Sequence, residues 1–277
     1  MTLDEQLIHS TIKINSIQSD GSECSGTGFF FNFEIDGKRI PAIITNKHVV
    51  RESKKLLFSF SLAKNNEILI GQTQKVCLTD PGSFIVNHPN EDVDLCAILI
   101  GAILNSEFGN QLLFSYFSIE NIITDADFGK KSLSNIEEIT LIGYPDGLFD
   151  EYNNLPIVRR GITATSIKYD FDNKKEFLID SAIFPGSSGS PVIIFNQGAY
   201  SHHDGIQFGN RLYLIGIVSK TFLHKIDGEL KAIEVPSTSK IITQSMMPNN
   251  LGIVIKSERI LELIPEIRSL CQNLKDN

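Results

Sequence analysis

The sequence predicts an all-β fold built as barrels or a sandwich, and three observations carry that prediction. Short apolar runs with a two-residue period recur along most of the chain, turn-forming residues separate them, and apolar residues take helical spacing clearly only at the C-terminus. In chain order, Ile12 to Ile17 alternates and gives way to a polar turn from Ser19 to Gly26. Thr27 to Ile35 follows, then Asp36-Gly37, then Ile40 to Thr45. Asp and Gly tolerate the positive φ angles of a type I′ turn, so this is a hairpin. Further strands are predicted at Lys55 to Ser61, Glu67 to Ile70, Leu95 to Ile100, Glu138 to Ile142 and Ile157 to Ile167. Phe177 to Ile179, Val192 to Phe195, Leu212 to Val218 and Leu251 to Ile255 complete the set.

At the C-terminus Ser257 reads as an N-cap, and Ile260, Leu261, Leu263, Ile264, Ile267, Leu270 and Leu274 recur near helical spacing, interrupted at Pro265. That helix is expected to serve packing. Asn105 to Gly129 is weakly patterned and would link two β units, so the expected units are 1–129, 130–256 and a C-terminal helix over 257–277.

The 277 residues carry 25 Lys+Arg against 33 Asp+Glu, a formal net charge of −8. Nucleic acids are held largely by cations that neutralise phosphates, so no nucleic-acid partner is expected. A hydrophobic fraction of 42% with 21% charged residues is globular composition and excludes a disordered chain. The N-terminus carries Asp4 and Glu5 where an export signal has basic residues. The longest nearly unbroken apolar run, Leu95 to Leu104, falls short of the ~20 residues that cross a bilayer. The expectation is a soluble cytoplasmic protein without a membrane partner. Cys24, Cys77, Cys96 and Cys271 lie far apart without paired spacing and read as thiols of a reducing compartment.

The most informative segment runs from Phe184 to Pro191, Phe-Pro-Gly-Ser-Ser-Gly-Ser-Pro. Gly186 and Gly189 allow the backbone to turn sharply enough to expose the Ser188 hydroxyl and to aim the amides of Gly186 and Ser188 at one point. Two such donors form an oxyanion hole for acyl transfer. A serine hydroxyl needs a base, and a base needs a group to orient it. Of the six histidines, only His48 stands directly after an apolar strand. Asp92 and Asp94 both precede the apolar run that begins at Leu95, and Asp94 is preferred because it is the last polar residue before that strand.

These motifs resemble the trypsin-like, chymotrypsin-fold serine peptidases, and most of all the protease domain of the HtrA family. The similarity spans roughly residues 20 to 220, and its motifs stand in the family's order His, Asp, Ser. Ser25 to Phe29 resembles a first-barrel Gly-x-Gly-Phe strand, Ile44 to Val50 the catalytic-histidine segment and Asp94 to Ile98 the catalytic-aspartate strand. Gly143 to Leu148 is similar to the loop that opens the second barrel, Asp180 to Pro191 to the nucleophile segment, and Ile215 to Ser219 to the strand lining the primary pocket.

What the resemblance implies is two six-stranded antiparallel β-barrels with the site at their junction and the C-terminal helix outside. It further implies a serine endopeptidase acting on polypeptides through an acyl-enzyme with His48, Asp94 and Ser188, an oxyanion hole from Gly186 and Ser188, and no metal or cofactor. In this match Ala182 begins the base of the primary pocket, Ile183 stands beside it, and Ser219, Lys220 and Thr221 form the wall. Asp180 falls two residues too early to pair with a basic substrate residue, so small or medium apolar residues are expected before the scissile bond.

Three departures stand out. Ser187 replaces the aspartate that pairs with a new N-terminus in digestive relatives, Phe184 the asparagine usual in HtrA enzymes, and Ser190 a glycine. A PDZ module is not expected, because few residues follow Ile255.

Competing readings are weaker. An α/β-hydrolase esterase needs Gly-x-Ser-x-Gly and a following helix, whereas Ser190 and the strand-like Pro191 to Phe195 stand there. A binding or scaffold protein with the triad present and the oxyanion loop closed would use the same residues. His202-His203-Asp204 offers metal-ligating types, but adjacent strand residues point to opposite faces and no second cluster accompanies them. Gly129-Lys130 lacks the upstream Gly and the following Ser or Thr of a phosphate loop.

Overall fold

The computed structural model of the chain describes residues 1–65, 67–128, 131, 133–202, 205–229 and 242–273. Seventeen strands and four α-helices organise the described residues. The first half carries β1 (Thr11–Gln18), β2 (Glu23–Ile35), β3 (Lys38–Thr45), β4 (Ser53–Lys64), β5 (Glu67–Thr79), β6 (Ile85–Asn87), β7 (Cys96–Leu99), β8 (Leu112–Leu113) and β9 (Phe117–Ser118). The second carries β10 (Glu138–Gly143), β11 (Ile157–Thr163), β12 (Glu176–Asp180), β13 (Pro191–Asn196), β14 (Ala199–His202), β15 (Gly205–Phe208), β16 (Arg211–Glu229) and β17 (Ile242–Lys256). The helices are α1 (Leu3–Ile8), α2 (Lys47–Val50), α3 (Gly101–Leu104) and α4 (Ile264–Asn273).

The two halves close differently. β10-β11-β12-β17-β16-β13 form a closed six-stranded barrel. The first half forms a nine-stranded sheet, paired in the order β5-β4-β1-β2-β3-β7-β6, with β8 on β4 and β9 on β2. The expected pair of six-stranded barrels is thus met in one half, whereas among the described residues no ladder joins β5 to β6. The chain between them passes through a 3₁₀ turn, Pro81–Phe84, entered by Asp80 at φ 46°. Proline has no N–H to lend to a ladder, and β6 that follows has only three residues.

β2 explains how the halves meet. Its continuous apolar run is buried on both faces, as a strand between two cores must be. Phe29, Phe31, Phe33 and Ile35 pack with Ile142, Ile193, Leu214 and Ile217 of the second half and with Ile260, Leu263 and Ile267 of the C-terminal segment. Phe30 points the other way, onto Ile14, Ile43, Leu56, Phe58 and Phe60. The barrel has its own interior, with Leu141, Phe177, Ile179, Val192, Ile215 and Val254. Asp36 and Gly37 take φ 52° and 71°, the left-handed pair that the β2–β3 hairpin requires.

Helical segments depart from the sequence reading at both ends. The acidic N-terminal residues open α1, where Thr2 and Glu5 form a reciprocal capping box and Asp4 and Glu5 favour the positive helix end. At the other end Ser257 does not cap: its hydroxyl donates to the Ile123 carbonyl, 3.4 Å away, and a 3₁₀ segment, Ser257–Leu263, precedes α4. Pro265 is the second residue of α4, where its missing N–H has no helical partner to lose, so it starts the helix and does not interrupt it. Leu274 lies outside the described residues. β16 and β17 also run beyond the predicted strands, paired from Gly216↔Lys256 to Glu229↔Ile242. No helix among the described residues is long and apolar enough to cross a membrane.

Candidate active site

β3 and β7 set the first half of the site. Their register pairs Thr45 with Cys96, so Asp94 and His48, just outside the ladder at its end, are brought face to face. His48 lies on the single turn α2, with Asn46 at the N-cap position; the Asn46 side chain does not cap the turn but its amide donates to the Asp94 carbonyl at 2.7 Å. Lys47 ties the same turn to the Asn90 carbonyl at 3.0 Å. β2 supports α2 from below: a Cβ on Gly26 would lie 2.6 Å from Val49 Cγ1, a contact only glycine permits.

His48 Nδ1 lies 2.6 Å from Asp94 Oδ2, and the His48 backbone N–H donates to Asp94 Oδ1 at 3.0 Å. The Ser219 hydroxyl adds a bond to Oδ2 at 3.3 Å. Burial acts to raise the Asp94 carboxyl, but the hydrogen bonds and charge of His48, helped by Ser219, outweigh it and hold the group below the usual carboxylate range. Asp94 is therefore an anion that accepts from Nδ1. That fixes the neutral imidazole with its proton on Nδ1 and its lone pair on Nε2, on the half-exposed side of the ring. Asp92 is exposed and takes no part.

The second half of the site is built from backbone. Between β12 and β13 the chain reverses with Gly186 at φ +85° and Gly189 at φ +86°, values that side-chain-bearing residues rarely adopt. The two peptides that carry the Gly186 and Ser188 amides have their carbonyls tied off. The Pro185 carbonyl accepts from Asp146 N–H at 2.5 Å, and the Ser187 carbonyl from Ser190 N–H at 3.0 Å. In a trans peptide the N–H points opposite to the C=O. The amides of Gly186 and Ser188 therefore face away from those bonds, and neither donates to a protein acceptor among the described residues. Two free amides in such a turn are chemically able to bind an anion.

Ser188 is held to the first half by Thr27 N–H, which donates to its carbonyl at 2.9 Å. Gly189 packs against the Thr27 carbonyl, and a Cβ there would lie 2.6 Å from Thr45 Oγ1, at the end of the strand that leads to His48. Among the described residues no hydrogen bond joins the Ser188 hydroxyl to the His48 ring; such bonds often tighten only when substrate arrives. Ser187 closes the turn on itself. Its N–H donates to the Phe184 carbonyl at 3.0 Å and its hydroxyl accepts from Phe184 N–H at 3.3 Å.

The residues expected to line the primary pocket also have defined places. Ile183 is buried in the barrel core and packs with Ile179 against Gly252, so its surroundings are hydrocarbon. Ala182 presents its carbonyl to Arg159 Nη1, and the Arg159 guanidinium stacks 4.7 Å from the Phe184 ring centroid. Ser219 is buried on Asp94, Lys220 is exposed, and Thr221 donates to the Leu251 carbonyl at 3.0 Å. Asp180 is exposed at the end of β12. A cleft of about 420 Å³ opens against His48, lined by Gln18, Ser19, Asp20, Ser22, Arg51 and Glu52.

Sequence reasoning missed Thr27, Asn46 and Arg159. Thr27 left a signal, a hydroxyl flanked by glycines in Gly26-Thr27-Gly28; Arg159 left none. His203, Asp204, Gly129 and Lys130 lie outside the described residues, and no metal-ligating cluster occurs among those described.

Residues 26–199, well over half of the chain, match the Trypsin-like peptidase domain. The chain belongs to the trypsin-like peptidase family. Sequence comparison with curated proteins gave no match. Among solved structures this trypsin-like chain is similar to AlgW, an HtrA-type protease solved with a tripeptide, at 16% identity and a TM-score of 0.51, over 95% of this chain. It spans 61% of the length of that protein. A serine endoprotease from Yersinia pestis is similar at 16% identity and a TM-score of 0.47, over 96% of this chain and 67% of its own. A thermostable serine protease, AL20, from an extremophilic microorganism matches at 10% identity and a TM-score of 0.49, over 94% and 96%. At these identities the likeness to AlgW shows the fold alone. The trypsin-like fold and the family match together support a peptidase.

Proposed function

We propose that this trypsin-like peptidase is a serine endopeptidase that cleaves polypeptides through an acyl-enzyme, with His48 as base, Asp94 as its orienting anion and Ser188 as nucleophile. The observation that carries the reading is the 2.6 Å contact between His48 Nδ1 and Asp94 Oδ2, which leaves Nε2 as the proton acceptor. In the proposed reaction, Nε2 takes the Ser188 hydroxyl proton as Oγ bonds to the scissile carbonyl carbon. The carbonyl π electrons move to oxygen, and the Gly186 and Ser188 amides stabilise that oxyanion. The tetrahedral intermediate collapses with cleavage of the C–N bond, and His48 gives its proton to the departing nitrogen. Water then attacks the acyl-enzyme with His48 again as base, releasing the carboxylic acid product and restoring Ser188.

No cofactor enters this scheme. The tied carbonyls of Pro185 and Ser187 speak for the enzyme over a silent binding protein, whose loop would turn a carbonyl into the hole. Ile183, Ile179 and Gly252 favour small or medium apolar side chains before the scissile bond, because a cation there would be buried without a partner.

The test is labelling of the purified protein by a fluorophosphonate, expected for the wild type and abolished in Ser188→Ala. The same preparation, profiled on an unbiased peptide library, should cleave after residues such as Ala, Val or Leu. Absence of labelling refutes the enzyme, and predominant cleavage after Lys or Arg refutes the pocket assignment.

A further inference from the structure

Thr27 lies in the first half of the molecule, is fully buried, and makes no contact that the proposed chemistry itself requires. Yet all of its polar groups are committed to the site. Its N–H donates to the Ser188 carbonyl at 2.9 Å, and its carbonyl accepts from Thr45 Oγ1 at 2.8 Å. Its hydroxyl donates to the Gly186 carbonyl at 2.8 Å and accepts from the Tyr144 N–H at 3.1 Å. The backbone bonds would survive any substitution that keeps the strand. The two hydroxyl bonds depend on the side chain alone.

The consequence follows from which peptides are pinned. The Gly186 amide belongs to the Pro185–Gly186 peptide, whose carbonyl rests on Asp146 N–H. Asp146 stands two residues after Tyr144, and Gly147 N–H returns to the Tyr144 carbonyl at 3.0 Å, so Tyr144 to Gly147 is one small turn. The Thr27 hydroxyl therefore holds the donor from both ends. It fixes the peptide that follows Gly186 directly, and through Tyr144 it fixes the turn that grips the peptide preceding Gly186. Space around it is used up: a Cβ on Gly143 would lie 2.7 Å from Thr27 Oγ1. A buried hydroxyl that donates once and accepts once between two chain segments sets their separation.

We infer that Thr27 is a positioning residue for the oxyanion hole, its hydroxyl acting as the clasp between the Gly186 loop and the Tyr144 turn. The inference rests on the assignment of Gly186 and Ser188 as oxyanion donors. Loss of the clasp leaves His48, Asp94 and Ser188 in place and lets the Gly186 amide drift. A shift of that kind costs transition-state binding and leaves substrate binding largely intact.

The experiment compares Thr27→Val, which keeps the shape and removes the hydroxyl, with Thr27→Ser, which keeps the hydroxyl and removes a methyl, and with Thr27→Cys, a weak donor. The kcat values should fall in the order wild type and Ser, then Cys, then Val, with Val reduced on the order of 10²-fold and KM changed by no more than about threefold. If Val fails to fold, the Ser and Cys values still decide. Thermal unfolding of each variant separates loss of fold from loss of turnover, because a merely structural role lowers Tm without splitting kcat from KM. Wild-type labelling by fluorophosphonate anchors the series. An active wild type with Val within threefold of it in kcat, or with Ser as impaired as Val, overturns the clasp alone. A wild type neither labelled nor active overturns the oxyanion assignment and the clasp with it.

Discussion

The two halves contribute to the site by different means. The nine-stranded half supplies His48 and Asp94, joined by side-chain and amide bonds across the ends of the adjacent strands β3 and β7. The closed barrel supplies the turn from Gly186 to Ser190, shaped mainly by backbone bonds whose partners come from the Tyr144–Gly147 turn, from β2 and from β16, with the Thr27 hydroxyl on the Gly186 carbonyl as the side-chain exception. One half stores its geometry in the chemistry of a few side chains, the other in the path of the chain. Side-chain identity should therefore dominate substitutions in the first half, and backbone freedom those in the second.

The largest effect separates two aspartates of the first half. Asp94→Asn replaces the anion that accepts from His48 Nδ1 with an amide, which permits the wrong tautomer, and kcat should drop by about 10⁴. Asp92→Asn, two residues away and exposed, should leave kcat within about twofold. Steady-state kinetics of both variants checks this, and a mild Asp94→Asn beside a crippled Asp92→Asn would reverse the assignment. The second half is best broken without touching a functional group. Gly186→Ala adds a methyl at φ +85°, directed onto the Tyr144 carbonyl. The turn must move, and kcat should fall on the order of 10²-fold or more with KM little changed. Near-normal turnover in Gly186→Ala would mean that the chain path does not set the hole.

The same contrast explains what could be read from the sequence. Strand period, the Asp36-Gly37 turn and the Gly-Ser-Ser-Gly pattern are local, and each strand predicted from them has a counterpart, often longer than predicted, although Ile157 to Ile167 stops at Thr163 and Leu95 to Ile100 is strand only over Cys96–Leu99. The pairing of His48 with Asp94 was legible because each adjoins an apolar strand. What escaped was long-range. Whether β5 and β6 pair depends on a turn that period cannot describe. The reach of β16 to Glu229 is supported by pairing with β17, not by its own alternation. Thr27 touches residues 117 and 159 positions away, and nothing in the residues around it specifies those partners. Ser257 looked like a cap because its type and position fit one, but tertiary contact with Ile123 took the hydroxyl.

The smallest effect concerns acid stability, and it too should divide the halves. His9 and His88 are both buried in the first half. Burial lowers the pKa of His9, against the opposing charge of Glu5. Burial likewise lowers that of His88, reinforced by the nearby Arg259 and opposed by Glu262. His88 Nδ1 accepts from Asn90 N–H at 3.1 Å, so the neutral ring carries its proton on Nε2, 3.2 Å from Glu262 Oε2. That approach alone would suggest a charged ring, but the atoms are not aligned for a hydrogen bond, and burial together with Arg259 prevails. A histidine whose folded pKa lies below its unfolded value of about 6.5 binds protons more readily when unfolded. Its stabilising contribution is complete above that value and is lost as pH falls towards the folded pKa. Asp94, held below the usual carboxylate range, adds a loss of the same sign only at lower pH, below its ordinary 3.8. Tm should be level between about pH 7 and 8 and decline by a few degrees towards about pH 5, with His88→Gln flattening part of the decline. Amide exchange at about pH 5 should rise first in the strands around His9 and His88, while the β10–β13 ladders stay protected. Acid-induced exchange that begins in the closed barrel would show that the two halves do not differ in this respect.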